Sequence, residues 1–168
     1  MGTRNSDVAV AQLNPTAKAQ VDEILLMGQK SFVRAAYTIV SGDAAGDVIR
    51  LVQVPGGVEL IPHESKTNTD GLGTGVTVDV GDTDDTVAAD PDRYADGLDV
   101  AASGGDIFDA NAVSASLTPF VTSKLCWIQA TLAVTSAGAL VVGKKIIFRM
   151  TFSRRQGSVY FPCYRYIH

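Results

Sequence analysis

The chain has little of the chemistry on which enzymes are built. Its 168 residues include two histidines, two cysteines and one tryptophan. A serine or cysteine nucleophile needs a general base steadied by a third group. His63 stands in a Pro-His-Glu-Ser stretch and His168 follows Tyr-Ile, so no catalytic constellation is expected and the chain reads as a non-enzyme. Cys126 and Cys163 lie in the apolar runs KLCWIQ and YFPCYR without metal-ligand spacing, and read as small buried hydrophobes. No apolar run approaches about 18 residues, so no membrane-spanning helix is expected. VAVAQL is too short for the core of a secretory signal, which points to synthesis in a reducing cytoplasm.

Charge is scarce and unevenly placed. Charged residues make up 19% of the chain and the net charge is −4. Residues 1–69 carry six bases and seven acids, residues 70–109 one base and eleven acids, and residues 110–168 seven bases and no acid. Such blocks imply either internal pairing or a dipolar protein that meets a complementary surface.

What is present favours strands. The run FVRAAYTIV, the turn SGDAAGD, then VIRLVQV, Pro55-Gly56-Gly57 and VELI form a meander. In VIRLVQV both alternating faces are largely apolar, which predicts a strand packed on two sides or lining an interface. PHESKTNTDGLG reads as a loop, and VTVDV as a half-buried strand with Val76, Val78 and Val80 on one face. KLCWIQATLAVT and KKIIFRMTFS add two more strands. The expectation is a mainly β fold, an antiparallel β-sandwich or jelly roll spanning 32–168. Residues 1–31 are expected as an N-terminal arm, with a short helix opened by Asn14-Pro15 and closed near Gly28.

The acidic stretch is expected as an Asp-rich surface excursion containing short helical turns. Asp90-Pro91 has the grammar of a helix start, DPDRYADG fits one turn closed by Gly97, and Asp106 caps another. Calcium is the metal alternative, with Asp79, Asp82, Asp84 and Asp85 supplying hard oxygens. DVGDTDDTVAAD lacks the sixth-position glycine and terminal glutamate of an EF-hand loop, so neither a metal nor a cofactor is expected. Gly138-ALVV-Gly143-Lys144-Lys145 has phosphate-loop spacing, but Lys145 replaces the magnesium-binding hydroxyl residue and a strand follows where a helix is needed. It reads as a hairpin turn. The candidate partner-contact residues are Val8, Val10 and Leu13 in the arm, and Tyr160, Phe161, Tyr164, Arg165 and Tyr166 in the aromatic, basic tail. Bases among aromatics can also stack a nucleic acid strand, but the pI of about 5.0 argues against that partner.

The run GTGVTVDVGDTDD…DPDRYADGLDVA, with the preceding RLVQVPGGVELI, resembles tailed-bacteriophage capsid decoration (cement) or minor head proteins. The resemblance covers about residues 47–110 and carries no catalytic residues. It implies a homodimer or homotrimer on the capsid exterior that clamps neighbouring major capsid subunits; the acidic pI and the lack of a long apolar run speak for no nucleic acid and no membrane partner. The alternative is a jelly-roll receptor- or glycan-binding module on the virion.

Overall fold

The computed structural model describes residues 2–13, 30–83, 90–108 and 121–154. In chain order these form β1 (Thr3–Asn5), α1 (Asp7–Leu13), β2 (Ser31–Thr38), β3 (Val48–Val54) and β4 (Val58–Leu60). A 3-10 turn (Pro62–Glu64) precedes β5 (Lys66–Asp70), β6 (Val76–Asp82), β7 (Asp90–Asp99), β8 (Ser103–Gly104), β9 (Cys126–Val134) and β10 (Lys145–Arg154). The strands make two sheets. Sheet A runs β1-β3-β9-β6-β7; sheet B runs β2-β10-β5-β8, with β4 also paired to β10. All the strand pairs are antiparallel except β1 with β3.

The alternation of apolar residues drives this arrangement. Ile146, Phe148, Met150 and Phe152 of β10 and Cys126, Ile128, Ala130 and Leu132 of β9 are buried, together with Val76, Val78 and Val80 of β6. They join one hydrophobic cluster shared by both sheets. Burying each large apolar side chain contributes roughly 1.5–3 kcal/mol, which is what holds the two layers face to face. The fold is a mainly β sandwich.

The expected meander is not formed, since β2 and β4 both pair with β10 in sheet B whereas β3 pairs with β1 and β9 in sheet A. Four further local expectations are corrected. First, β3 is not packed on two sides. Its register with β9 shifts between Arg50 and Val52, and this irregularity turns Ile49, Leu51, Val52 and Val54 all into the core. Second, KTNTD is strand β5 rather than loop. Its buried positions are Thr67 and Thr69, whose hydroxyls find partners: Thr69 Oγ1 accepts from Gly71 N at 3.1 Å. Third, Asp90–Asp99 is an edge strand rather than a helical turn. Pro91 is tolerated because an edge strand needs fewer ladder donors. Register shifts against β6 then bury Tyr94, Ala95 and Leu98, whose i, i+1, i+4 spacing imitates one face of a helix rather than the alternation of a strand.

Fourth, Thr3–Leu13 is built into the sandwich. β1 pairs with β3 through Thr3↔Val48, Arg4↔Ile49 and Asn5↔Arg50. Ser6 is a buried N-cap: its hydroxyl donates to Leu51 O at 2.7 Å and accepts from Ala9 N at 3.1 Å. Asp7 Oδ1 takes the N–H of Ala36 at 2.6 Å, fastening the start of α1 to the open edge of β2. The helix expected from Asn14-Pro15 lies outside the described residues.

Candidate interaction surfaces

The described residues present three surfaces of distinct chemistry, and each follows from the way sheet A or sheet B ends. The first is the β1 edge of sheet A. Arg4 Nε donates to Asp43 Oδ1 at 2.8 Å, and its Nη2 lies 3.6 Å from Asp47 Oδ2. Asp43 also accepts from the Tyr37 hydroxyl at 2.9 Å and from Val40 N at 2.8 Å. Asp47 accepts from Gly2 N at 2.5 Å and from Ala44 N at 3.1 Å. The backbone donors Gly2 and Ala44 hold the Asp47 carboxyl below its ordinary pKa, and the bond to Asp43 raises that of Arg4. Burial, then the bonded Asp43, push the Tyr37 phenol up. Two carboxylates here tie the β2–β3 turn to the N-terminal strand, and all their work is internal.

The second surface is the β7 edge at the far side of sheet A. Asp82 is fully buried and its Oδ2 accepts from Arg93 Nε at 2.7 Å, with Asp90 Oδ2 3.7 Å from Arg93 Nη1. The hydroxyl of Tyr94 is buried near Asp82 without a well-formed hydrogen bond; burial first, then the Asp82 charge, raise its pKa. Gly81 allows the close approach of β7, since a Cβ there would stand 2.0 Å from Asp90 O. Around this one pair lie Asp79, Asp92, Asp96 and Asp99. Asp79 Oδ1 accepts from Gly97 N at 2.8 Å, yet burial and the neighbouring Asp96 push its pKa up. Asp92 is pushed up by sharing a hydrogen bond with Asp90 and by burial. The edge holds more negative charge than it can pair.

The third surface is the outer face of sheet B. Since Ile146, Phe148 and Met150 point inward, the alternate residues of β10 point out. Arg149 stands opposite Arg34 of β2 on one side and Lys66 of β5 on the other. All three are exposed, and beside them Phe32 is 74% exposed and Ile107 49%. This row escapes sequence reading because Lys66 sits in a stretch without apolar alternation.

The expected site residues fall out as follows. On α1, Val10 and Leu13 are exposed at 58% and 54%, whereas Val8 packs against the protein's own core. Tyr160, Phe161, Tyr164, Arg165 and Tyr166 lie outside the described residues, as do Asp84 and Asp85. Asp79 and Asp82 are engaged with Gly97 and Arg93, and among the described residues no group of three or more His, Cys, Asp or Glu is placed to hold a metal ion. The Gly138–Lys145 run is not the expected hairpin turn but part of the crossing from β9 in sheet A to β10 in sheet B, with Gly143 N donating to Ile39 O at 2.8 Å. Its exposed Val141 and Val142 share that end of the sandwich with exposed Val40. Cys126 is buried in the core, as a small hydrophobe would be.

Taken together, these features define a β-sandwich with developed outer faces, and the fold recurs in a virus shell. A chain in the structure titled "Capsid of Ralstonia phage GP4" matches with a TM-score of 0.59 at 20% identity, over 77% of this chain and 87% of that one. A chain of the "Cyanophage Pam1 capsid asymmetric unit" matches with a TM-score of 0.44 at 17% identity, over 74% of this chain and 84% of that one, and only the first match carries the fold argument. Neither a protein-family model nor a curated protein sequence matches the chain.

Proposed function

We propose that the chain is a structural virion protein that decorates the exterior of a bacteriophage capsid and stabilises it by clamping neighbouring major capsid subunits. The single observation that supports this reading is the fold shared with a chain of the Ralstonia phage GP4 capsid along 87% of that chain's length. The surfaces are compatible with it. A clamp works through shape and contact area rather than through a reacting group, so the reading assigns no catalytic step and no cofactor. In this reading the chain acts as a homodimer or homotrimer. Val10 and Leu13 on α1 contact a neighbouring subunit, joined by Tyr160, Phe161, Tyr164, Arg165 and Tyr166 from the tail.

The glycan-binding alternative would use an open aromatic platform. Trp127 does not offer one, since the guanidinium of Arg50 lies over its ring at 5.3 Å from the centroid. The proposal is tested by quantitative mass spectrometry of purified phage particles. It expects this chain at a fixed, symmetry-related ratio to the major capsid protein, lost together with shell stability when the gene is deleted. Particles lacking the chain, with unchanged resistance to heat, would refute it.

A further inference from the structure

Among the described residues, one row of cations stands outside the ion pairs. The ion pairs described are Arg4 with Asp43 and Asp47, Lys30 with Glu64, and Arg93 with Asp82 and Asp90, besides the contact of His63 with Glu64. None involves Lys66, Arg149 or Arg34. Those three cations stand in one row across β5, β10 and β2, in direct register. Like charges set directly opposite on a sheet repel, so the row works against the isolated fold. On the other layer, Asp79 projects from the outer face of β6 with Asp96 beside it, and Asp99 stands opposite Thr77 on the same face. Burial first, then the neighbouring Asp96, raise the pKa of the Asp79 carboxyl. The two unbalanced surfaces belong to opposite sheets of one sandwich and are separated by the hydrophobic core, so within one chain they cannot neutralise each other.

We infer that the row Lys66–Arg149–Arg34 on sheet B is a docking surface for a second copy of this chain, which presents the Asp79–Asp96–Asp99 face of its sheet A. Charge complementarity between the two faces identifies the occupant. Exposed Phe32 and Ile107 flank the row and supply the apolar contact that a patch of charge alone would lack. The contact joins unlike patches, so it is heterologous: it closes into a ring or continues as an open stack, according to the rotation between copies. This inference stands on the charge geometry and does not depend on the virion reading.

The test is sedimentation velocity of the full chain at low and high ionic strength, with two charge-reversed variants. The wild type is expected to self-associate at about 0.01 M salt, where screening extends to roughly 30 Å, and to dissociate at about 1 M salt, where it falls to roughly 3 Å. Arg34→Glu with Arg149→Glu on the basic row, or Asp96→Lys with Asp99→Lys on the acidic face, should each weaken association by roughly tenfold or more. An equimolar mixture of the two variants should recover it, because each then carries the face that the other lacks. All four positions project from the surface, and circular dichroism of each variant checks the fold. A wild type that stays monomeric at low salt, variants that associate unchanged, or a mixture that fails to recover association would each overturn the inference. A monomeric wild type that instead binds a homopolymeric single-stranded DNA through the same row would do so as well.

Discussion

The two edges of sheet A use the same chemical device to opposite effect. At the β1 edge, Arg4 meets Asp43 and Asp47, and each carboxylate is also satisfied by neighbouring donors. At the β7 edge, Arg93 meets Asp82 and Asp90, but four further aspartates crowd the same two strands. The difference shows in the proton equilibria: Asp47 is held below its ordinary pKa, whereas Asp79 and Asp92 are pushed above theirs. A carboxylate enclosed by donors acts as a fastener. A carboxylate among carboxylates is a surface waiting for a cation.

The comparison can be broken most forcefully at the buried pair. Arg93→Met removes the cation beside the wholly buried Asp82 carboxyl, and is expected to cost about 3 kcal/mol or more in chemical denaturation at neutral pH. A loss below about 1 kcal/mol would show that the pair is not what joins β7 to β6. Next comes Gly81→Ala. Its Cβ would collide with Asp90 O at 2.0 Å, so β7 must move away, at an expected cost of about 2 kcal/mol. Amide exchange would locate the damage in β6 and β7 and leave β1 and β3 protected.

At the opposite edge, Ser6→Ala removes both the cap of α1 and the bond to Leu51 O, with an expected cost of about 1–2 kcal/mol read as a shifted denaturation midpoint. A variant of normal stability would mean that the N-terminal segment adds nothing to the fold. The smallest effect should have the reverse sign. Asp79→Asn keeps an acceptor for Gly97 N and removes a crowded charge, so it is expected to stabilise by a few tenths of a kcal/mol at neutral pH.

The pH dependence sharpens the same contrast. Asp79 in the folded chain binds its proton more tightly than in the unfolded chain. Its contribution is therefore present below the ordinary carboxylate pKa and is lost as pH rises through the raised value. Asp47 behaves oppositely: its contribution is present above the ordinary pKa of about 3.9 and is lost as pH falls through the lowered value. Asp79→Asn should flatten the decline of stability on the alkaline side of that range, and Asp47→Asn the decline on its acid side. Thermal melts across the range would read both, and identical profiles for the two variants would erase the distinction.

How much of this was legible in the sequence depended on how each strand buries itself. β6, β9 and β10 could be read directly, because a single alternating set of apolar residues faces the core. In β3 the strand was legible but its faces were not, since one register irregularity changes which residues point inward. In β5 the buried side chains are threonines, and in β7 the register shifts give the buried residues a helix-like spacing, so neither shows the apolar alternation of a strand. The N-terminal strand depends on long-range partners, Asp43, Asp47 and Leu51, that local pattern cannot reveal. Among the candidate contact residues, the exposed positions Val10 and Leu13 were visible as apolar residues in an isolated run. The cation row was hidden, because it exists only once three strands are set side by side in register.

The proposed place of this sandwich in a phage shell is open to direct inspection by cryo-electron microscopy of the particles. Ordered density for the sandwich is expected on the outer surface of the shell, at one class of symmetry axis, bridging adjacent major capsid subunits. Particles whose outer surface carries no such density, although the chain is made in the infected cell, would contradict it.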